Sequence, residues 1–230
     1  MKKIASFFKY SSIKLVLINL AIFILLMAVP TSALEVISLP IEKNEEKVYQ
    51  IEAEIPIIFD LGQKKVQDKY NKVFRENIFS FIEYTIEMAR QSQQDFAEAN
   101  FPIHEFVAKV DFNIKNDQEI LSIKFNYYQY TGGAHGNPYS LSYNIDLETG
   151  TELELIDFLN RENITLLEIE KIIRSEVENN PDKYFQADYG FQKLAGDQNY
   201  YIEDDELIVY FQPYAIAPYS TGIPEFRIKY

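Results

Sequence analysis

The sequence predicts an α+β fold: an antiparallel meander covered by a long amphipathic helix, followed by a second small α/β lobe packed without a flexible linker. Three observations predict it. Apolar residues recur at three- and four-residue steps through residues 63–96, and they alternate singly over 106–114, 119–130 and 139–146. A helix-then-strands pattern then occupies 163–229, with no repeat and no low-complexity stretch to serve as a hinge.

Taken in order, residues 47–58 form a first strand, with Val48, Ile51, Ala53, Ile55 and Ile57 set among Gln50, Glu52 and Glu54. The long helix follows, its stripe built from Val66, Tyr70, Val73, Phe74, Ile78, Phe81, Ile82, Thr85 and Met88. Pro102 falls in the break that ends it. The next strand carries Phe106, Ala108, Val110, Phe112 and Ile114 on one side. The one after it carries Leu121, Ile123, Phe125 and Tyr127, with Ser122, Lys124, Asn126, Tyr128 and Tyr130 opposite. Residues 139–146 repeat the alternation, so the meander has an apolar face for the helix and a polar, tyrosine-studded face. A short helical piece at 155–159 precedes a helix capped by Asn163 or Thr165 and stopped at Asn179-Asn180-Pro181. Strands at 200–202, 207–212 and 225–229 complete the chain.

Three segments are expected: a signal peptide or signal-anchor at 1–33, an N-terminal helix-and-meander lobe at 34–130, and a C-terminal lobe at 131–230. Lys2, Lys3, Lys9 and Lys14 lead into an apolar run over 15–29 that only Asn19 interrupts, which is an export pattern. The cationic flank stays in the cytoplasm and places the remainder extracytoplasmically, secreted or anchored to the cytoplasmic membrane facing outward. Fifteen residues rise ~22 Å as a helix, short of a ~30 Å hydrocarbon core, and Thr31-Ser32-Ala33 supplies small residues for a peptidase. Cleavage is therefore expected. The competing reading is an uncleaved anchor, in which case this segment is the only membrane contact.

The chain has no cysteine, which excludes disulfides, thiolate–metal sites and lipoprotein attachment, and its 17 Phe and 17 Tyr can fill a core without staples. Four of the 22 basic residues and none of the 35 acidic ones precede residue 34, leaving −17 on the remainder. Such a field disfavours nucleic acid and attracts basic proteins.

Candidate chemistry is sparse. The loop at 130–138 (YTGGAHGNP) holds His135, one of two histidines. As a general base or metal ligand it lacks company, since a zinc site needs three or four ligands and no HExxH spacing exists. Phosphate-cradling glycines lead into helices, whereas these lead into a strand. The other reading is a tight connection that the glycines permit and His135 pins. His104 reads as a packed loop residue. Glu203 to Glu206 lacks the spacing of a calcium loop and reads as a solvated hairpin turn. Asn163-Ile164-Thr165 fits a glycosylation acceptor or a helix cap equally. No GxSxG elbow occurs, so no catalytic residue, metal or cofactor is assigned. Clustered tyrosines suit a protein or sugar interface, and half-buried strands also collect them.

At YTGGAHGN (130–137), YNIDLETG (143–150) and YFQPYAIAPY (210–219), with Gly222 and Pro224 beyond, the chain resembles the extracytoplasmic domains of the RsiV family. These belong to anti-sigma factors that sense lysozyme. A related region precedes the catalytic domain of the peptidoglycan deacetylase PdaC. The resemblance spans residues 45–230. It implies a non-enzymatic, lysozyme-binding receptor domain outside the membrane, and the short stretch before the apolar run leaves no room for a sigma-sequestering domain. The expected partner is a basic extracellular protein such as lysozyme. The alternative is a peptidoglycan or wall-glycan binding module, and a third reading is a His-dependent cell-wall hydrolase. Tyr128, Tyr130, His135, Asn137, Tyr139, Tyr214 and Tyr219 are the candidate ligand-binding residues.

Overall fold

The computed structural model describes residues 34–99 and 104–230; the leader and the break at Pro102 lie outside the described residues. A five-stranded sheet runs in the order β1 (Glu35–Glu45), β2 (Tyr49–Phe59), β3 (Phe106–Asp117), β4 (Ile120–Tyr130), β5 (Asn137–Asp146). β3, β4 and β5 form the expected antiparallel meander. β2 pairs with β3 in parallel, and parallel neighbours need a long crossover, which here is the 36-residue helix α1 (Lys64–Ala99). The sheet is therefore mixed, and β5 extends it to Asp146, beyond residue 130.

β1 has no counterpart in the sequence reading. Nearly every side chain on it is exposed, Pro40 sits at its middle, and only antiparallel pairing to β2 defines it. An edge strand tolerates proline because one of its sides needs no ladder.

α1 lays Tyr70, Phe74, Ile78 and Ile82 onto the sheet, each fully buried. Phe74 meets Phe125 and Tyr143 at 5.0 Å each, and Phe81 meets Tyr127 edge-on at 5.1 Å. Burying each such side chain contributes about 1.5–3 kcal/mol.

The second lobe comprises α2 (Leu155–Glu162), α3 (Leu166–Asn179) and an antiparallel sheet, β6 (Tyr200–Glu203), β7 (Glu206–Tyr210), β8 (Glu225–Lys229). Asn163, in the left-handed region at φ 58°, closes α2, and Thr165 caps α3 with a capping box to Glu168. One face of this sheet joins Phe158, Ile169 and Ile173 in a core with Leu207, Val209, Phe226 and Ile228. The other face carries Tyr201, Ile208 and Tyr210.

That second face covers part of the first sheet's polar face. Ser122, Lys124, Ser140 and Asn144 are consequently buried. Each has a partner: Ser122 accepts from the Ile202 amide (3.0 Å), Asn144 donates to the Tyr200 carbonyl (2.9 Å), Ser140 exchanges hydrogen bonds with Gln212, and Lys124 pairs with Glu225 (2.5 Å). Lys124 also lies 5.2 Å from the ring centroids of both Tyr201 and Tyr210. Lys115 and Arg227 both clasp Glu203, at 2.7 and 2.6 Å, so the acidic hairpin is partly a structural clamp.

Candidate functional site

The glycine-dense loop between β4 and β5 meets the segment between β7 and β8. Gln212 fixes the start of that segment: it accepts from the Ser140 amide (3.1 Å) and donates to the Ser140 carbonyl (2.5 Å). The Phe211 amide donates to the Pro224 carbonyl (3.0 Å), closing the base. Ile216 and Ala217 are buried in the second core, and the Ile216 carbonyl accepts from the Phe185 amide (2.8 Å).

Between these anchors the chain turns at Gln212-Pro213-Tyr214-Ala215, with the Ala215 amide donating to the Gln212 carbonyl at 3.0 Å. Tyr214 holds φ +67°. Proline second and a left-handed residue third define a type II turn, where glycine or asparagine is the usual third residue. Tyrosine there stores about 1–3 kcal/mol of backbone strain. Its ring is 54% exposed.

Tyr214 tops a short stack. Its ring lies 5.8 Å from that of Tyr219, which stacks on the His135 imidazole at 4.0 Å and 25°. The Gly136 carbonyl ties the base, accepting from the Tyr219 hydroxyl (2.8 Å) and from His135 Nδ1 (2.9 Å). A carbonyl only accepts, so the neutral ring carries its proton on Nδ1. Nε2 then faces the Tyr214 hydroxyl at 3.5 Å. Gly136 is buried, and a Cβ on it would fall 2.2 Å from Cζ of Tyr128. The glycine is thus required by the approach of Tyr128. Gly132, at φ +88°, packs against His104 on the loop's other side.

Of the seven candidate residues, Tyr128, His135, Tyr214 and Tyr219 are brought together. Tyr130, half-buried, pairs across to Val107, and exposed Asn137 opens β5; they flank the loop. Tyr139 lies elsewhere. It is in register with Tyr127 and stacks on it at 4.6 Å and 5°, on the helix-facing side, where burial pushes its hydroxyl pKa up. Side chains paired directly across a ladder share a face, which removes Tyr139 from the cluster. Gly136 and Gln212 were missed as site residues. Gly136 was visible only as one glycine among several.

Among the described residues the hydrogen-bond partners of His135 are Gly136 and Tyr214, neither of them a carboxylate. Among the described residues no group of three or more His, Asp or Glu is placed to hold a metal ion. Nor is any described helix long and apolar enough to cross a membrane. The arrangement is an aromatic crest at the seam of two sheets.

Residues 42–138 match the family model described as deacetylase PdaC, and residues 157–230 match that of a protein of unknown function, DUF3298. A crystal structure of a DUF3298 family member from Bacteroides fragilis superposes with a TM-score of 0.64 at 19% identity, covering 87% of this chain and 92% of the other. A DUF3298 family protein from Pseudomonas aeruginosa gives 0.53 at 18%, covering 86% and 90%. At such identities the likeness is one of fold. No curated protein matches the chain.

Proposed function

From a chain that carries a PdaC-like region followed by a DUF3298 region, we propose a non-enzymatic recognition module of the cell envelope, exported by its leader, that binds a cationic wall-active protein, lysozyme first. One observation carries the reading: an exposed tyrosine held in a strained turn at the top of a His135–Tyr219 stack. Strain maintained at a surface aromatic is expected where the aromatic has a partner. Tyrosine is a favoured anchor at the centre of protein interfaces, and its ring face attracts Lys and Arg. The −17 charge beyond residue 33 supports a cationic partner. The PdaC-like region supports a wall setting, and the resemblance to the RsiV family supports lysozyme. The hydrolase reading would have to use His135 Nε2, which faces the Tyr214 hydroxyl at 3.5 Å. The glycan reading draws little from Tyr128, whose ring tip is spent against Gly136.

Calorimetric titration of residues 34–230 with a c-type lysozyme, at low and at moderate salt, tests the proposal. Saturable heat that weakens with salt is expected. Absence of saturable heat at both conditions would remove lysozyme as the partner, and retention on purified walls in the same protein would favour the glycan alternative.

A further inference from the structure

The second lobe covers the polar face of the first sheet over β4, β5 and the C-terminal end of β3, where Lys115 meets Glu203. Over β1, β2 and the N-terminal half of β3 the same face is open and forms a shallow depression of about 270 Å³, lined by Glu42, Glu52, Glu54, Lys109 and Asp111 among others. Register aligns Glu42 with Glu52, Glu52 with Lys109, and Lys109 with Tyr128. Four strands at about 4.8 Å spacing make this row about 14 Å long. It ends at Tyr128, whose ring lies against Gly136, the residue whose carbonyl holds Tyr219 and His135. The open face is therefore continuous with the aromatic crest.

Its charges serve the fold unevenly. Lys109 neutralises Glu52 at 2.7 Å. Among the described residues no cation lies within ion-pair distance of Glu42, Glu54 or Asp111, and all three are exposed. Three carboxylates without an ion partner around one depression repel one another, although Asp111 accepts a hydrogen bond from Asn126 (2.7 Å). On the covered side, by contrast, charges are matched across the lobes, Lys124 with Glu225 and Lys115 with Glu203.

We infer that the open β1–β3 face is a second part of the binding footprint, an acidic landing surface that steers the Lys/Arg-rich side of the partner protein onto the crest. This rests on the binding reading above and adds a division of labour. Rim carboxylates that remain hydrated raise the association rate, while the desolvated aromatic anchors set the dissociation rate.

The test is surface-immobilised association kinetics with a c-type lysozyme across a salt series. It compares the wild type, the triple variant Glu42→Gln/Glu54→Gln/Asp111→Asn, and a control triple Glu83→Gln/Glu87→Gln/Asp95→Asn. The control removes the same charge from exposed positions on α1, on the opposite side of the sheet. The face variant should associate about 3- to 10-fold more slowly at low salt, with a flatter salt dependence and an unchanged dissociation rate, and the control should change by less than about twofold. Equal slowing in both triples would reduce the effect to net charge and overturn the inference. So would an unchanged association rate in the face variant with wild-type binding intact. If the wild type itself does not bind, the binding reading fails first.

Discussion

Replacing Gly136 by alanine isolates the contact that seats the crest. A Cβ there would stand 2.2 Å from Cζ and 2.3 Å from both Cε2 and the hydroxyl oxygen of Tyr128. Ordinary contact is near 3.5 Å, so the ring must swing away by more than 1 Å. Tyr128 is half-buried, and uncovering about 50 Å² of ring at about 25 cal/mol per Å² gives a cost of about 1–1.5 kcal/mol. No strained backbone angle adds to it, since Gly136 is not among the residues with positive φ. Urea unfolding of residues 34–230 measures this, provided it is done as a cycle. In the Tyr128→Ala background the three nearest contacts of the added methyl are gone, and Gly136→Ala should cost much less there, leaving a coupling of about 1 kcal/mol. If Gly136→Ala costs the same in both backgrounds, the clash with Tyr128 is not the reason for the glycine, and the account of how the loop is seated is wrong.

Tyr214→Gly relieves the left-handed strain at φ +67° and should raise stability by about 0.5–1 kcal/mol while weakening lysozyme binding; a thermal melt showing a loss of stability would contradict the strain argument. Lys124→Ala strips Glu225 and the Tyr201 and Tyr210 rings of their cation at a nearly buried seam, for a cost of about 2–4 kcal/mol in urea. Lys124→Met, which keeps the aliphatic stem, should cost less, and equal costs would assign the effect to the lost charge alone, with nothing from the stem. The Thr149 amide holds the Asp146 carboxyl below the usual aspartate range, and Lys115 holds Glu203 below the glutamate value. Folded values below unfolded ones mean that the unfolded chain takes up protons first. Their stabilisation is full above the unfolded values near pH 4 and is lost as pH falls through the folded ones. Melting temperature should fall in that acid range, and Glu203→Gln should shallow the fall. An acid limb unchanged by that substitution would exclude Glu203 from it.

What the sequence reveals of this fold follows from which surfaces are buried on one side only. α1 and β3–β5 each present one apolar face to the first core, so periodicity exposes them. β1 buries almost nothing and contains Pro40, which leaves no pattern to read. The parallel pairing of β2 with β3 is set by how α1 crosses, and alternation within a strand carries no record of its neighbour's direction. The covered polar face was the larger concealment. Ser122, Lys124, Ser140 and Asn144 look solvated in sequence because they are polar, yet each finds a partner in or next to the second sheet. Both halves of the crest stood out as motifs, the loop at His135 and the segment at Tyr214. Their contact depends on the Gln212–Ser140 clamp between residues 72 positions apart, which no local pattern encodes. Tyr139 belongs to the candidate set by proximity in sequence, whereas register with Tyr127 places it, partly buried, on the helix-facing side of the sheet.

The central claim, that the crest anchors a cationic partner, is tested most directly by comparing two tyrosines of similar exposure. Tyr214 is 54% exposed on the crest and Tyr84 is 59% exposed on α1. In calorimetric titrations with a c-type lysozyme at low salt, Tyr214→Ala should weaken binding by at least about tenfold and Tyr84→Ala by less than about twofold. Wild-type affinity in Tyr214→Ala, or equal losses in the two variants, would contradict it.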